Sequence, residues 1–129
     1  MILAQIYNKK RLINLEKSKF TLSDPLKAVL VGNILGDVYM IKLSAKANTR
    51  VVFRQGSINT EYLLYLYSLY QYFVATPPSI SSITDKFIDK TRYNLSFTTL
   101  ALPCFNQLYE TFYVNGKKKK EYRLILLII

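Results

Sequence analysis

The sequence predicts an α+β fold, in the order helix, two strands, helix, two strands, helix. Three observations predict it: apolar stretches at helical spacing, pairs of short alternating runs between them, and cap or turn residues at the junctions. The 129 residues match one ordinary domain, and half of them are hydrophobic, enough for a real core.

The first helix is announced by Ser23-Asp24-Pro25. Ser23 suits the N-cap, Asp24 the positive end of the helix dipole, and Pro25 the first turn. The helix is expected over Leu26–Leu35, apolar nearly all round, and to stop at Gly36-Asp37. Gly32 and Gly36 lie four apart on one face. Each glycine costs a helix about 1 kcal/mol against alanine, so such a pair is best tolerated where another backbone comes close.

Val38–Leu43 and Arg50–Gln55 read as the first two strands, joined by a polar loop that carries Lys46 and Asn48. Val51 and Phe53 fall on one face of the second strand, Arg50 and Arg54 on the other. Asn59–Val74 is the clearest helix, with Tyr62, Leu66, Leu69 and Phe73 recurring at its period and Thr76-Pro77-Pro78 ending it. A second hairpin follows, Ser79–Phe87 and Thr91–Thr98, turning around Asp89-Lys90. Tyr93, Leu95 and Phe97 alternate there with Arg92, Asn94, Ser96 and Thr98, giving one apolar and one polar, basic face. Pro103 opens the third helix, with Phe105, Leu108, Tyr109 and Phe112 on one side and Asn115-Gly116 as its stop.

The charge is lopsided, with 18 Lys and Arg against 8 Asp and Glu, a net +10 and a pI of about 9.7. A folded domain with that excess attracts polyanions: nucleic acid first, an anionic membrane surface second. One cysteine, Cys104, excludes an internal disulfide. The absence of histidine excludes His-based triads and His-ligated zinc. Any metal must then be held by oxygen, which favours magnesium or calcium. No stretch reaches the ~20 apolar residues of a membrane span. The basic N-terminus, with Lys9, Lys10, Arg11, Lys17 and Lys19, lacks the apolar core and cleavage site of a signal peptide.

Leu30-Val31-Gly32-Asn33-Ile34-Leu35-Gly36-Asp37-Val38 resembles the nine-residue LAGLIDADG motif, with glycine third and aspartate eighth. The resemblance continues downstream in order: Arg-x-x-Phe-x-Gln at Arg50–Gln55, Glu61–Tyr67, Pro77-Pro78, Tyr93–Thr98, then Leu102-Pro103-x-Phe-Asn-x-Leu-Tyr and Phe112-Tyr113-x-Asn-Gly-Lys-Lys. This train is similar to one unit of the double-motif LAGLIDADG homing endonucleases and maturases of organellar introns, over roughly residues 22 to 118. It implies that the two hairpins join into a four-stranded antiparallel DNA-binding sheet. Residues 1–21 are read as a basic N-terminal extension, 22–118 as the endonuclease-like unit and 119–129 as a divergent tail. Val38 stands where the motif has its closing glycine. After Lys118 the chain departs from the family, where a second unit normally follows. The expectation is a single unit, C-terminally truncated or frame-shifted.

The resemblance implies metal-dependent hydrolysis of duplex DNA, with Mg2+ as the divalent cofactor. Asp37 becomes the catalytic metal ligand, assisted by the Gly36 carbonyl, and Gln55 the polar residue near the attacking water. Taken alone, Asp37 also suits a helix-ending turn and Gln55 a surface strand position. Many relatives carry a basic residue near the positions of Thr98 and Thr99. Alternation puts Met40, Lys42, Arg50, Arg54, Lys86, Lys90, Arg92, Asn94 and Ser96 on the DNA side, with Lys46 in the neighbouring loop. Gly32 and Gly36 mark the seam with a second unit, supplied by a homodimer or by a missing half. The tail Leu124–Ile129 folded over that face is the alternative. Tyr62, Tyr65, Tyr67, Tyr70 and Tyr72 are at helical spacing and read as core or rim rather than as a base-stacking platform. The competing functions are an RNA maturase acting on the host intron RNA, an inactive remnant, and a generic basic RNA-binding protein. The family resemblance places the protein in the mitochondrion.

Overall fold

The computed structural model describes residues 13–114 and 116–118. The basic segment before Ile13, Asn115 and the tail 119–129 lie outside the described residues. A short helix α1 (Asn14–Ser18) leads into α2 (Asp24–Ile34), strand β1 (Tyr39–Ile41) and strand β2 (Arg50–Gly56). One turn of 3-10 helix then enters α3 (Thr60–Tyr70), which ends in a second such turn at Gln71–Phe73. The β3 (Ser79–Asp85) and β4 (Lys90–Thr98) hairpin follows, then α4 (Asn106–Phe112), entered through a 3-10 turn at Pro103–Phe105. The expected α+β order is borne out. A small addition is the β5 (Tyr113–Val114) and β6 (Lys117–Lys118) pair, which follows α4 directly. Gly116, with φ of 78°, turns that hairpin and does not stop the helix.

The four main strands form one antiparallel sheet in the order β1-β2-β4-β3. The core lies between its inner face and the helices. Val51 and Phe53 of β2, Leu95 and Phe97 of β4, and Met40 of β1 meet Leu30, Val31 and Ile34 of α2, Leu63, Leu66 and Tyr70 of α3, and Leu108 and Phe112 of α4. Phe53 stacks on Phe97 with ring centroids 4.5 Å apart and lies 5.1 Å from Tyr70. Phe20 is 2% exposed and packs on Tyr72 and Phe73, so the described end of the N-terminal segment is anchored in this core.

Ser23 caps α2 as expected, accepting from the Leu26 amide, with Pro25 in the first turn. The helix is not buried all round. Leu30, Val31 and Ile34 face the core, whereas Pro25, Ala28, Val29 and Gly32 are exposed. In α3 the buried stripe is Leu63, Leu66, Tyr70, continued by Phe73, and Tyr62 is exposed. Met40 is also corrected. It pairs with Val51 and shares that residue's inward side, so it is 3% exposed rather than on the polar face. Tyr93 keeps its place in the alternation but is 53% exposed, since the outer part of the β3–β4 hairpin runs on without burial on either side. Hydroxyl groups tie the layers together. Tyr70 donates to the Leu26 carbonyl (2.8 Å), and the Met40 amide donates to the Tyr113 hydroxyl (2.8 Å). Burial raises both phenols above their ordinary range.

Candidate catalytic and DNA-facing site

Asp37 sits in the short turn between α2 and β1. That turn is built by the end of α2: the amides of Gly36 and Val38 both donate to the Asn33 carbonyl, at 3.0 and 3.2 Å. Val38 occupies the position of the motif's closing glycine without strain. Asp89 is the one non-glycine with positive φ among the described residues, and the Val38 side chain is buried in the core. The turn leaves the Asp37 carboxylate exposed.

Gln55 alternates with Val51 and Phe53 and therefore points to the helix side of the sheet, at the end of β2. It is 8% exposed, not a surface strand residue. A buried carboxamide must satisfy both of its ends. Its Nε2 donates to Asp37 Oδ2 at 3.1 Å, and its Oε1 accepts from Asn59 Nδ2 at 3.1 Å. The two residues the sequence nominates for catalysis are thus in direct contact, and Asn59 extends the chain. Four residues before Asp37, Asn33 Oδ1 accepts from the Tyr62 hydroxyl at 2.8 Å, while its Nδ2 is buried with no partner among the described residues. Sequence reasoning passed over Asn59, Asn33 and Tyr62. An asparagine inside the motif and another four residues after Gln55 were the only hint.

Among the described residues no three His, Cys, Asp or Glu side chains gather to hold a metal ion. Asp37 is one exposed oxygen donor with a hydrogen-bonded neighbour. That fits a hard divalent cation as one ligand of a larger oxygen set that the described residues do not themselves complete.

The register puts Arg50, Arg54, Ser96, Asn94, Arg92 and Lys90 on one face. Arg54 is opposite Ser96, Ser96 opposite Ser79, Asn94 opposite Gly56 and Ser81, Arg92 opposite Ile83, and Lys90 opposite Asp85. This is the outer face, away from the helices. At one end of the sheet a hollow of about 360 Å³ has Arg50, Thr76, Ser79, Ser96 and Thr98 in its lining. Lys86 falls in the β3–β4 turn and Lys46 in the exposed β1–β2 loop. Lys42 stands apart from this set. It follows the last residue of β1, and its ammonium lies 5.4 Å from the centre of the Tyr109 ring on α4, a cation–π distance. Thr99 is buried and structural: its hydroxyl accepts from the Val51 amide and donates to the Leu100 carbonyl. The exposed strip of α2 carries Gly32, and a Cβ built there meets none of the described residues within 4 Å. At Gly36 the nearest such atom is the Asn33 carbonyl oxygen at 3.7 Å, an ordinary contact. Packing among the described residues demands neither glycine.

A family model for LAGLIDADG DNA endonucleases matches residues 27–122. The chain is 29% identical over 92 residues to the cytochrome b mRNA maturase bI2 of Debaryomyces hansenii, covering 70% of this chain and 35% of that protein. It is 32% identical over 96 residues to the cytochrome b mRNA maturase bI2 of Saccharomyces cerevisiae, covering 72% of this chain and 22% of that protein. The chain therefore spans well under half the length of these relatives. Among solved structures it is similar to the homing endonuclease I-WcaI bound to its DNA recognition sequence. The TM-score is 0.70 at 27% sequence identity, over 77% of this chain and 42% of that one.

Proposed function

This chain belongs to the LAGLIDADG DNA endonuclease family, and on that premise we propose that it is one unit of a metal-dependent homing endonuclease for double-stranded DNA. The observation that carries the reading is the contact between Asp37, at the foot of the motif helix, and the buried Gln55. It presents an exposed carboxylate at a fixed point beside the end of the sheet. The outer face of the sheet supplies the grip. Arg50, Arg54, Arg92 and Asn94 are the side chains able to read base edges, while Lys46, Lys86 and Lys90 meet phosphate. The solved homing endonuclease that resembles this chain is bound to its DNA recognition sequence, which supports duplex DNA as the ligand here.

A single carboxylate does not complete a hydrolytic site. The exposed strip of α2 with Gly32 and Gly36 supports close docking of a second motif helix, from another copy or from a further unit, bringing a second aspartate alongside Asp37. Magnesium, when bound, supplies an activated water and stabilises the leaving oxygen. The work of this chain is to hold the ligand Asp37, with the Gly36 carbonyl beside it, and to keep the Gln55 amide turned toward that carboxylate. The cytochrome b maturases among the relatives support a mitochondrial home and a second reading, an RNA maturase that binds its host intron RNA.

The test uses a duplex selected by this protein from a randomised library. Cleavage in Mg2+ that Asp37→Asn abolishes, with duplex affinity retained, supports the nuclease. Metal-independent binding of a folded cytochrome b intron RNA, with no cleavage of DNA, selects the maturase. An Asp37→Asn variant that cuts as fast as the parent refutes Asp37 as the metal ligand.

A further inference from the structure

Asn59 occupies the N-cap of α3, a position where asparagine commonly accepts from the amides of the first turn. Here it makes no side-chain cap bond. Its Nδ2 donates instead to Gln55 Oε1 at 3.1 Å, four residues back along the chain. The preceding 3-10 turn leaves Asn59 at φ −106° and ψ 26°, away from the extended backbone of a capping residue, and its side chain is turned to the buried carboxamide that touches Asp37.

We propose that Asn59 is a positioning residue of the hydrolytic site, acting through Gln55 to hold its amide nitrogen toward Asp37. The inference rests on the nuclease reading and deepens it. Its logic is the polarity of hydrogen bonds. An ionised Asp37 only accepts, so Gln55 must face it with Nε2 and not Oε1. The buried Oε1 then needs a donor, and Asn59 supplies it. Donation to Oε1 also strengthens the Nε2–H bond to Asp37, since linked hydrogen bonds polarise one another.

Two variants separate this role from helix capping. Asn59→Asp caps a helix as well as asparagine does, but its carboxylate cannot donate to Oε1. It draws the Gln55 amide nitrogen to itself and turns Oε1 against Asp37. Asn59→Ala removes the donor. The first readout is the Gln55 side-chain NH2 in 15N-resolved spectra of the full chain, with its solvent-exchange rate. Wild type should show a protected amide with cross-relaxation to Asn59 and to the 36–38 turn. Asn59→Asp should shift that pair and abolish its cross-relaxation to the turn, with thermal stability kept. The second readout is single-turnover cleavage of the selected duplex in Mg2+. Both variants should be slower by about 10- to 100-fold at unchanged duplex affinity, the usual effect of removing an outer-shell partner. A Gln55 amide unchanged in both variants overturns the proposal, whether or not the protein cuts DNA. Cleavage by wild type and Asn59→Asp at equal rates overturns it while leaving the nuclease reading standing. A protein that never cuts, yet whose Gln55 amide reverses in Asn59→Asp, refutes the catalytic part of the proposal together with the nuclease reading.

Discussion

Gly32 offers a perturbation whose two effects have opposite sign. The residue is exposed within α2, and a Cβ added there meets none of the described residues within 4 Å. Within one unit, Gly32→Ala therefore removes only the conformational freedom that glycine gives up on folding. The gain is about 0.5–1 kcal/mol, since helix propensity favours alanine by that amount and no neighbour is displaced. For a chain of this size that corresponds to a rise of about 2–6 °C in melting temperature. Across the seam the effect reverses. If a second motif helix packs on this strip, a side chain at position 32 holds the two backbones apart. Gly32→Leu should then weaken self-association by at least ~10-fold, equivalent to about 1.4 kcal/mol. Urea unfolding of Gly32→Ala at a dilution where the protein is monomeric reads the first effect, and sedimentation equilibrium of Gly32→Leu at several concentrations reads the second. A destabilised Gly32→Ala monomer would show an intrachain demand for glycine that the described residues do not make. A wild type that stays monomeric at every concentration, indifferent to Gly32→Leu, would remove α2 as a seam between copies of this chain.

Three further outcomes follow from the geometry. Arg50→Ala and Arg92→Ala should each weaken duplex binding and flatten the slope of log affinity against log salt by about one for each phosphate the arginine neutralises; unchanged slopes in both would show that the outer face of the sheet is not the DNA face. Tyr113→Phe should cost about 1–3 kcal/mol in urea unfolding, because it leaves the buried Met40 amide without an acceptor; a change below the error of the fit would contradict that role. Burial raises Tyr70 and Tyr113 above their ordinary value, so the folded chain keeps protons that the unfolded chain releases near pH ~10. Stability should be level below that point, as far as these two groups go, and fall as pH rises beyond it, and Tyr113→Phe should flatten the fall measured in alkaline melts.

Local chemistry made much of the fold legible. Ser23 and Pro25 marked the start of α2 because capping depends on residues next to one another. The β2 alternation was readable because Arg50 and Arg54 flank apolar residues. The failures are where neighbours in space decide. Met40 looked like a member of a polar strand face, but only its pairing with Val51 reveals the side it takes. Tyr62 fits the α3 period as well as Leu63 does, and the sheet beneath chose the leucine. The β5–β6 hairpin is too short to carry a periodic signal. At the site, Asp37 and Gln55 were found through resemblance. Their contact and the part played by Asn59 were invisible, because a carboxamide's partners depend on where two elements cross.

The outer half of the β3–β4 arm has a consequence for how such a protein changes over generations. Residues 80–93 are held by the ladder between their own two strands, and nearly all of their side chains are exposed on both sides. Few of them contribute to the core, so most substitutions there should cost little folding free energy. A lineage can therefore alter Arg92, Lys90 or Ser81, and with them the groups presented on the outer face of the arm, while the core around Phe53 and Tyr70 stays untouched. The same separation suits a laboratory library: one confined to this arm should return mostly folded members, each with a different surface on one unchanged core.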